Sequence, residues 1–267
     1  MPAALIASVV FCACGTSLAQ GAAAGHSDVT QPQMMARDAD PDWDVVTVKP
    51  SDPNDPHAGF NTEGREVTVE RQTVERMLLF GCGVHKRQLV NAPDWLATDR
   101  WDVRGIPDVP GQPSLKQMQS LVCKVLAERF GLVSHTEQRE MEVYALTVAK
   151  GGPKMKKSTR DPDALQSDWD QQNGWQQSIQ MWNVTMAGFA LELLFNTDRP
   201  VVNQTGLTGK YDFTLKWTFD ESKAPTDGSA APSLFTAIQE QMGLKLEPVK
   251  TMTDVMVIDK VERPGAN

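Results

Sequence analysis

The chain has 267 residues, a net charge of −8 and 40% hydrophobic residues, enough to bury a core in one large domain or two small ones. That acidity argues against nucleic acid as a partner, because clustered cations are needed to neutralise phosphates. It also provides no attraction to an anionic membrane surface.

Residues 1–20, MPAALIASVVFCACGTSLAQ, carry no charged side chain. The apolar run from Ala3 to Ala13 is too short to span a bilayer. Ser17 and Ala19 stand at the −3 and −1 positions of a signal-peptidase site. The pattern predicts a cleaved secretory signal, although a basic n-region is missing. A lipoprotein anchored at Cys14 is the alternative, set back by the poor lipobox Phe11-Cys12-Ala13. Residues 21–42 lack periodicity and are expected to form a mobile leader. No later segment is long and apolar enough to span a membrane, so no membrane insertion is expected after signal removal.

Residues 43–150 read as a first lobe. The strand WDVVTVKP (43–50) opens it, and PSDPNDPHAG (50–59) is a turn region. The strand REVTVER leads to an apolar helix, TVERMLLF, capped by Thr73. A short strand, QLVNA, precedes the strand holding Trp101-Asp102-Val103. Ser114 and Gln117 then form a capping box. The helix they start carries Leu115, Met118, Val122, Val125 and Leu126 on one stripe. A pair of strands, including VYALTV (143–148), is expected to close the lobe.

Residues 151–174 form an interlobe linker whose Lys154, Lys156, Lys157 and Arg160 read as a solvated surface. Residues 175–267 then repeat the plan. QSIQMWN leads to a helix capped by Thr185, followed by PVVNQ. In the next strand Tyr211, Phe213, Leu215, Trp217 and Phe219 alternate, the period of a half-buried strand. A surface loop, DESKAPTDGSAAP, precedes a helix from Ser233, and VMVIDKV lies near the end.

The echo is regular. GLTGKYDFTLKW (206–217) matches WLATDRWDVRGI (95–106), with Leu207 answering Leu96. The interval from Thr73 to Thr185 equals that from Gly131 to Gly243. An internal duplication is the simplest account. The predicted fold is α+β, with two tandem copies of a βαββαββ lobe and largely antiparallel sheets. WDVVTVKP has no clear partner in the second copy.

No HExxH, GxSxG, P-loop or CxxC motif occurs outside the signal. GLTGK (206–210) lacks phosphate-loop spacing and reads as a hairpin turn. His26, His57, His85 and His135 show no ligand spacing and read as surface histidines. No catalytic residue, metal or cofactor is predicted. Trp43, Trp95, Trp101 and Trp217 fall in or beside strands and read as core. Trp169, Trp175 and Trp182 lie among Asp, Gln and Asn. They are candidate ligand-binding residues, able to stack on a sugar or anchor a partner; the alternative is that they cover the seam between lobes. After signal cleavage two cysteines remain, Cys82 and Cys123. On neighbouring helices they are a candidate disulfide, with free thiols as the alternative.

The segments WDVVTVKPSDP, NAPDWLATDRWDV, VLAERFGLVSHTEQREMEVYALTVAKGGPKMKKS, VVNQTGLTGKYDFTL and QMGLKLEPVKTMTDVMVIDKVERP carry a family resemblance. Together they resemble the soil-associated family of secreted bacterial proteins with a domain of unknown function, over roughly Asp42 to Pro264. Two departures are Cys82, where the family is apolar-aromatic, and RQTVE, where an Asn-Val-Thr cap is usual. Some family members are attached to membrane sensor peptidases of the beta-lactam-receptor type, which implies extracytoplasmic sensing or binding and assigns no catalytic residue. Each half is also loosely similar to the short N-terminal modules of secretins and TonB-dependent transducers, a fold-level analogy. The expected function is a periplasmic or secreted non-catalytic module that binds a protein or cell-envelope component. A hydrolase acting on envelope glycan or peptide and a glycan-binding module are the alternatives.

Overall fold

Local signals start the helices. Thr73 accepts a hydrogen bond from the Arg76 amide at 3.2 Å, and Thr185 accepts one from Gly188 at 3.1 Å, satisfying donors that a first helical turn leaves free. Ser114 and Gln117 form a complete capping box. The computed structural model describes residues 33–160, 166–172, 174–220, 222–225 and 227–265. The predicted signal, most of the leader and the Trp169 side chain lie outside what is described.

The first half runs β1 (Trp43–Pro50), β2 (Gly59–Glu63), β3 (Glu66–Thr73), α1 (Val74–Cys82), β4 (Leu89–Val90), α2 (Trp95–Thr98), β5 (Arg100–Pro107), α3 (Leu115–Arg129) and β6 (Val133–Val148). The second runs β7 (Lys156–Lys157), β8 (Gln166–Gln172), β9 (Gln176–Val184), α4 (Met186–Leu193), β10 (Val201–Asn203), β11 (Tyr211–Thr218), α5 (Leu234–Ala237) and β12 (Leu244–Lys260). The fold is α+β with largely antiparallel sheets.

Two four-stranded sheets have matching orders, β1-β5-β3-β2 and β7-β11-β9-β8. A third, β10-β6-β12-β4, is shared between the halves. In it β4 pairs in parallel with β12, Leu89 opposite Met256, while β10 pairs in parallel with β6, Val201 opposite Tyr144. Leu89 and Val201 are separated by the repeat interval, and so are Tyr144 and Met256. The long strands β6 and β12 run antiparallel, and Glu140 pairs with Met252, its own counterpart at that spacing. Each half lends the other a strand.

The structure corrects three expectations. One long strand, β6 or β12, closes each half where a pair of strands was expected, so the order is βαββαβ. WDVVTVKP does have a topological counterpart: β7 pairs with β11 as β1 pairs with β5, although β7 has two residues and β1 has eight. The segment 151–174 is not only a loop, since it contains β7 and β8. In the second half the expected helix from Ser233 to Gly243 is present, beginning as the short α5 and continuing as a π-helical turn at Ile238–Met242.

The repeated motif has a local purpose. Arg71 and Asn183 both adopt left-handed φ values, 51° and 56°, at bulges where β3 and β9 slip against their partners. The bulge turns each backbone N–H out of the ladder. Asp102 accepts from the Arg71 amide at 3.0 Å, and Asp212 accepts from Asn183 at 2.8 Å. The aspartate of Trp-Asp-Val and Tyr-Asp-Phe therefore pins the strand that feeds each helix. Asp102→Ala or Asp212→Ala leaves that amide without a partner. Each is expected to cost about 1–3 kcal/mol, measured by urea denaturation.

The cores reflect the exchanged strands. One gathers Met77, Leu78, Trp101, Leu126 and Phe130, and includes Ile258 from β12. The other gathers Phe189, Leu193, Leu215, Trp217 and Ile238, and includes Leu146 from β6. Trp43 and Trp95 are partly buried against the first. Cys82 and Cys123 are disulfide-bonded, with Cα atoms 6.0 Å apart. Gly81 permits this approach of α1 to α3: a Cβ there would lie 3.0 Å from the Gln119 carbonyl oxygen.

Candidate functional site

Helix α1 buries Val74, Met77 and Leu78 in the first core. Its other face, Arg76, Leu79 and Phe80 at helical spacing, looks toward the second half. There α4 and the turn after it present Glu192, Phe195 and Asn196. Between these walls lies a cleft of about 410 Å³, lined also by Phe60, Leu115, Gln119 and Gln177. Two adjoining cavities, of about 490 and 150 Å³, are also lined by Arg76. Arg100 lines the larger one.

The apolar part of the cleft is aromatic. Phe60 and Phe80 stack with ring centroids 3.9 Å apart. The Arg76 guanidinium lies 5.1 Å from the Phe195 ring centroid, a cation–π distance. Among the described residues, that ring is the partner its guanidinium meets. Burial, and then the charge of Arg100, lower the Arg76 pKa, although the residue as a whole is exposed and lines the cleft.

Glu192 is a carboxylate on an apolar helix. Phe80 holds the equivalent position in the first half, so one half carries an aromatic where the other carries an acid. Burial alone pushes the Glu192 pKa up to about 7. The unfolded chain releases this proton near pH 4.3 and the folded chain near 7, so stability falls as pH rises between those values. Glu192→Gln removes the titration. From pH 4 to pH 8 its stability is expected to gain on the parent's by up to about 3 kcal/mol, read from denaturation midpoints at both pH values.

His85 corrects the surface reading of the histidines. It is 2% exposed. Its Nδ1 accepts from the Arg87 amide, and its Nε2 lies 3.2 Å from the Thr197 carbonyl oxygen, to which it donates. Burial lowers its pKa, and the neutral ring ties the loop after α1 to the second half. His57 and His135 are exposed and pair with nearby carboxylates.

The predicted tryptophan site is not assembled in this cleft. Trp175 and Trp182 do not line it; Gln177 is the residue of that segment that does. Trp182 carries Arg160 over its ring at 5.3 Å, and the Trp175 carbonyl accepts from the amide of Phe219. No cluster of metal-ligating side chains occurs among the described residues, and none of their helices is long and apolar enough to cross a membrane.

The residues that do meet here, Arg76 and Glu192, were missed because each sits in an ordinary helical run. The available signal was the regular offset between matching segments, which sets Glu192 against Phe80. Compared with known proteins, a family model described as a protein of unknown function (DUF3738) matches residues 75–261, a span that includes α4 and all of α1 but its first residue. No curated protein and no solved structure matches the chain.

Proposed function

The chain belongs to this DUF3738 family, and on that premise we propose that it is an extracytoplasmic, non-catalytic binding or sensing module. The cleft between α1 and α4 is its recognition site, and a protein or cell-envelope component is its ligand. The observation that carries this reading is the Arg76 side chain, open to an aromatic cleft without a carboxylate partner. An open cation beside exposed aromatic surface is a site prepared for a ligand. The extracytoplasmic part rests on the signal-like first twenty residues, on the resemblance to secreted proteins, and on the Cys82–Cys123 bridge, which fits an oxidising compartment. The matching sheet orders support reading the halves as copies of one ancestral unit.

The test is capture from cell-envelope extract with the immobilised protein and with Gln119→Trp, which fills the cleft. A ligand retained by the parent and lost by Gln119→Trp supports the reading. Equal retention overturns the site. Chemical conversion of the retained ligand, abolished by a substitution in the cleft, overturns the non-catalytic role.

A further inference from the structure

We infer that the cleft takes the free C-terminal carboxylate of a peptide whose last residue is apolar. The inference rests on the cleft being the recognition site. Three features of that cleft identify the chemistry.

The first is the fork of Arg76. A guanidinium binds a carboxylate through two parallel N–H donors, and geometry rather than charge alone sets the preference. Its plane is steadied by Phe195 on one side, which leaves the fork pre-organised for a planar anion. Arg100, lining the adjoining cavity, adds a second positive charge at the same end.

The second is the apolar wall. Phe60, Phe80, Leu115 and Phe195 share the cavity with Arg76, so an apolar side chain next to the carboxylate has a place to be buried. A cavity of about 410 Å³ holds one large side chain and the adjoining backbone.

The third is Glu192 on the opposite wall of the same cavity. Its carboxyl has no hydrogen-bond partner among the described residues. A peptide bond brings an N–H donor that Glu192 can accept; a simple aryl acid brings none. An acidic group in the cleft also disfavours a dianion such as a phosphate monoester relative to a monoanionic carboxylate.

The experiment is isothermal titration of the full chain with N-acetyl-Ala-Ala-Phe as the free acid, with its C-terminal amide, and with 3-phenylpropanoate. The free acid is expected to bind at least tenfold tighter than the amide, and tighter than 3-phenylpropanoate. Arg76→Ala is expected to lose at least tenfold for the free acid, and Arg76→Lys to recover only part of it because the fork is gone. Arg76→Ala is expected to cost the amide much less than it costs the free acid, because the amide presents one carbonyl acceptor and no charge to the fork. Equal affinity for acid and amide, with binding lost in Gln119→Trp, overturns the carboxylate inference and leaves the cleft reading standing. Binding of 3-phenylpropanoate as tight as the peptide acid overturns the peptide as source. No binding of any probe, while envelope capture remains sensitive to Gln119→Trp, overturns the inference alone. An intact thermal transition in each variant shows that a loss is not a loss of folding.

Discussion

Gly243→Ala is expected to lower stability by about 4 kcal/mol, the sum of a left-handed backbone cost of about 1–2 and an overpacking cost of about 1–3. Gly243 ends the π-helical turn with φ 67°. A Cβ there would lie 2.0 Å from the Gly152 carbonyl oxygen, which is backbone and cannot rotate away. The chain is held on both sides of that contact, since Ala149 donates to the Gly243 carbonyl and Lys154 to that of Met242. Relief of the clash therefore breaks hydrogen bonds. The first half contains the control. Gly131 has φ 57° at the matching position, yet nothing lies within 4 Å of an added Cβ. Gly131→Ala is expected to cost only the backbone share, about 1–2 kcal/mol. Thermal melts of the two variants check the difference, with the Gly243 variant falling roughly 8–16 °C.

Replacing both Cys82 and Cys123 by alanine is expected to cost about 4 kcal/mol. The bridge closes a loop with a sequence separation of 41, and chain entropy assigns a loop of that length about 4 kcal/mol. Adding reductant is expected to lower the urea midpoint of the parent toward that of the double variant and to leave the double variant unchanged. The second half needs no such bridge. Leu194 stands at the position equivalent to Cys82 and is buried in the second core, so packing there serves where a covalent link serves in the first half.

What was legible in the chain was what is decided locally. Thr73, Thr185 and the Ser114–Gln117 pair announce helix starts because caps act within three residues. Alternation at Tyr211 to Trp217 announces a half-buried strand because side chains switch faces at each step. The α+β class followed from the order of such signals. The parts that depend on distant contacts were not legible. Nothing near Leu89 says that it will lie beside Met256, and nothing near Glu137 says that its strand will run on without a turn. His85 read as a surface residue because its partner, the Thr197 carbonyl, belongs to the other half. Trp169, Trp175 and Trp182 stand out as candidate binding residues because aromatic rings are conspicuous in a polar stretch, whereas Arg76 and Glu192 look ordinary until the helices that carry them face each other.

The exchange of β4 and β10 makes the chain resemble two partners that have traded arms and cannot let go. Separating the halves would strip a strand from both ends of the shared sheet and withdraw Leu146 and Ile258 from cores that are not their own. Neither half has a melting event of its own to undergo, so heating should produce a single transition, and a protease cut between the halves should leave the two pieces associated. The cleft lies on the seam of that bond, where grip on a ligand is felt equally by both partners.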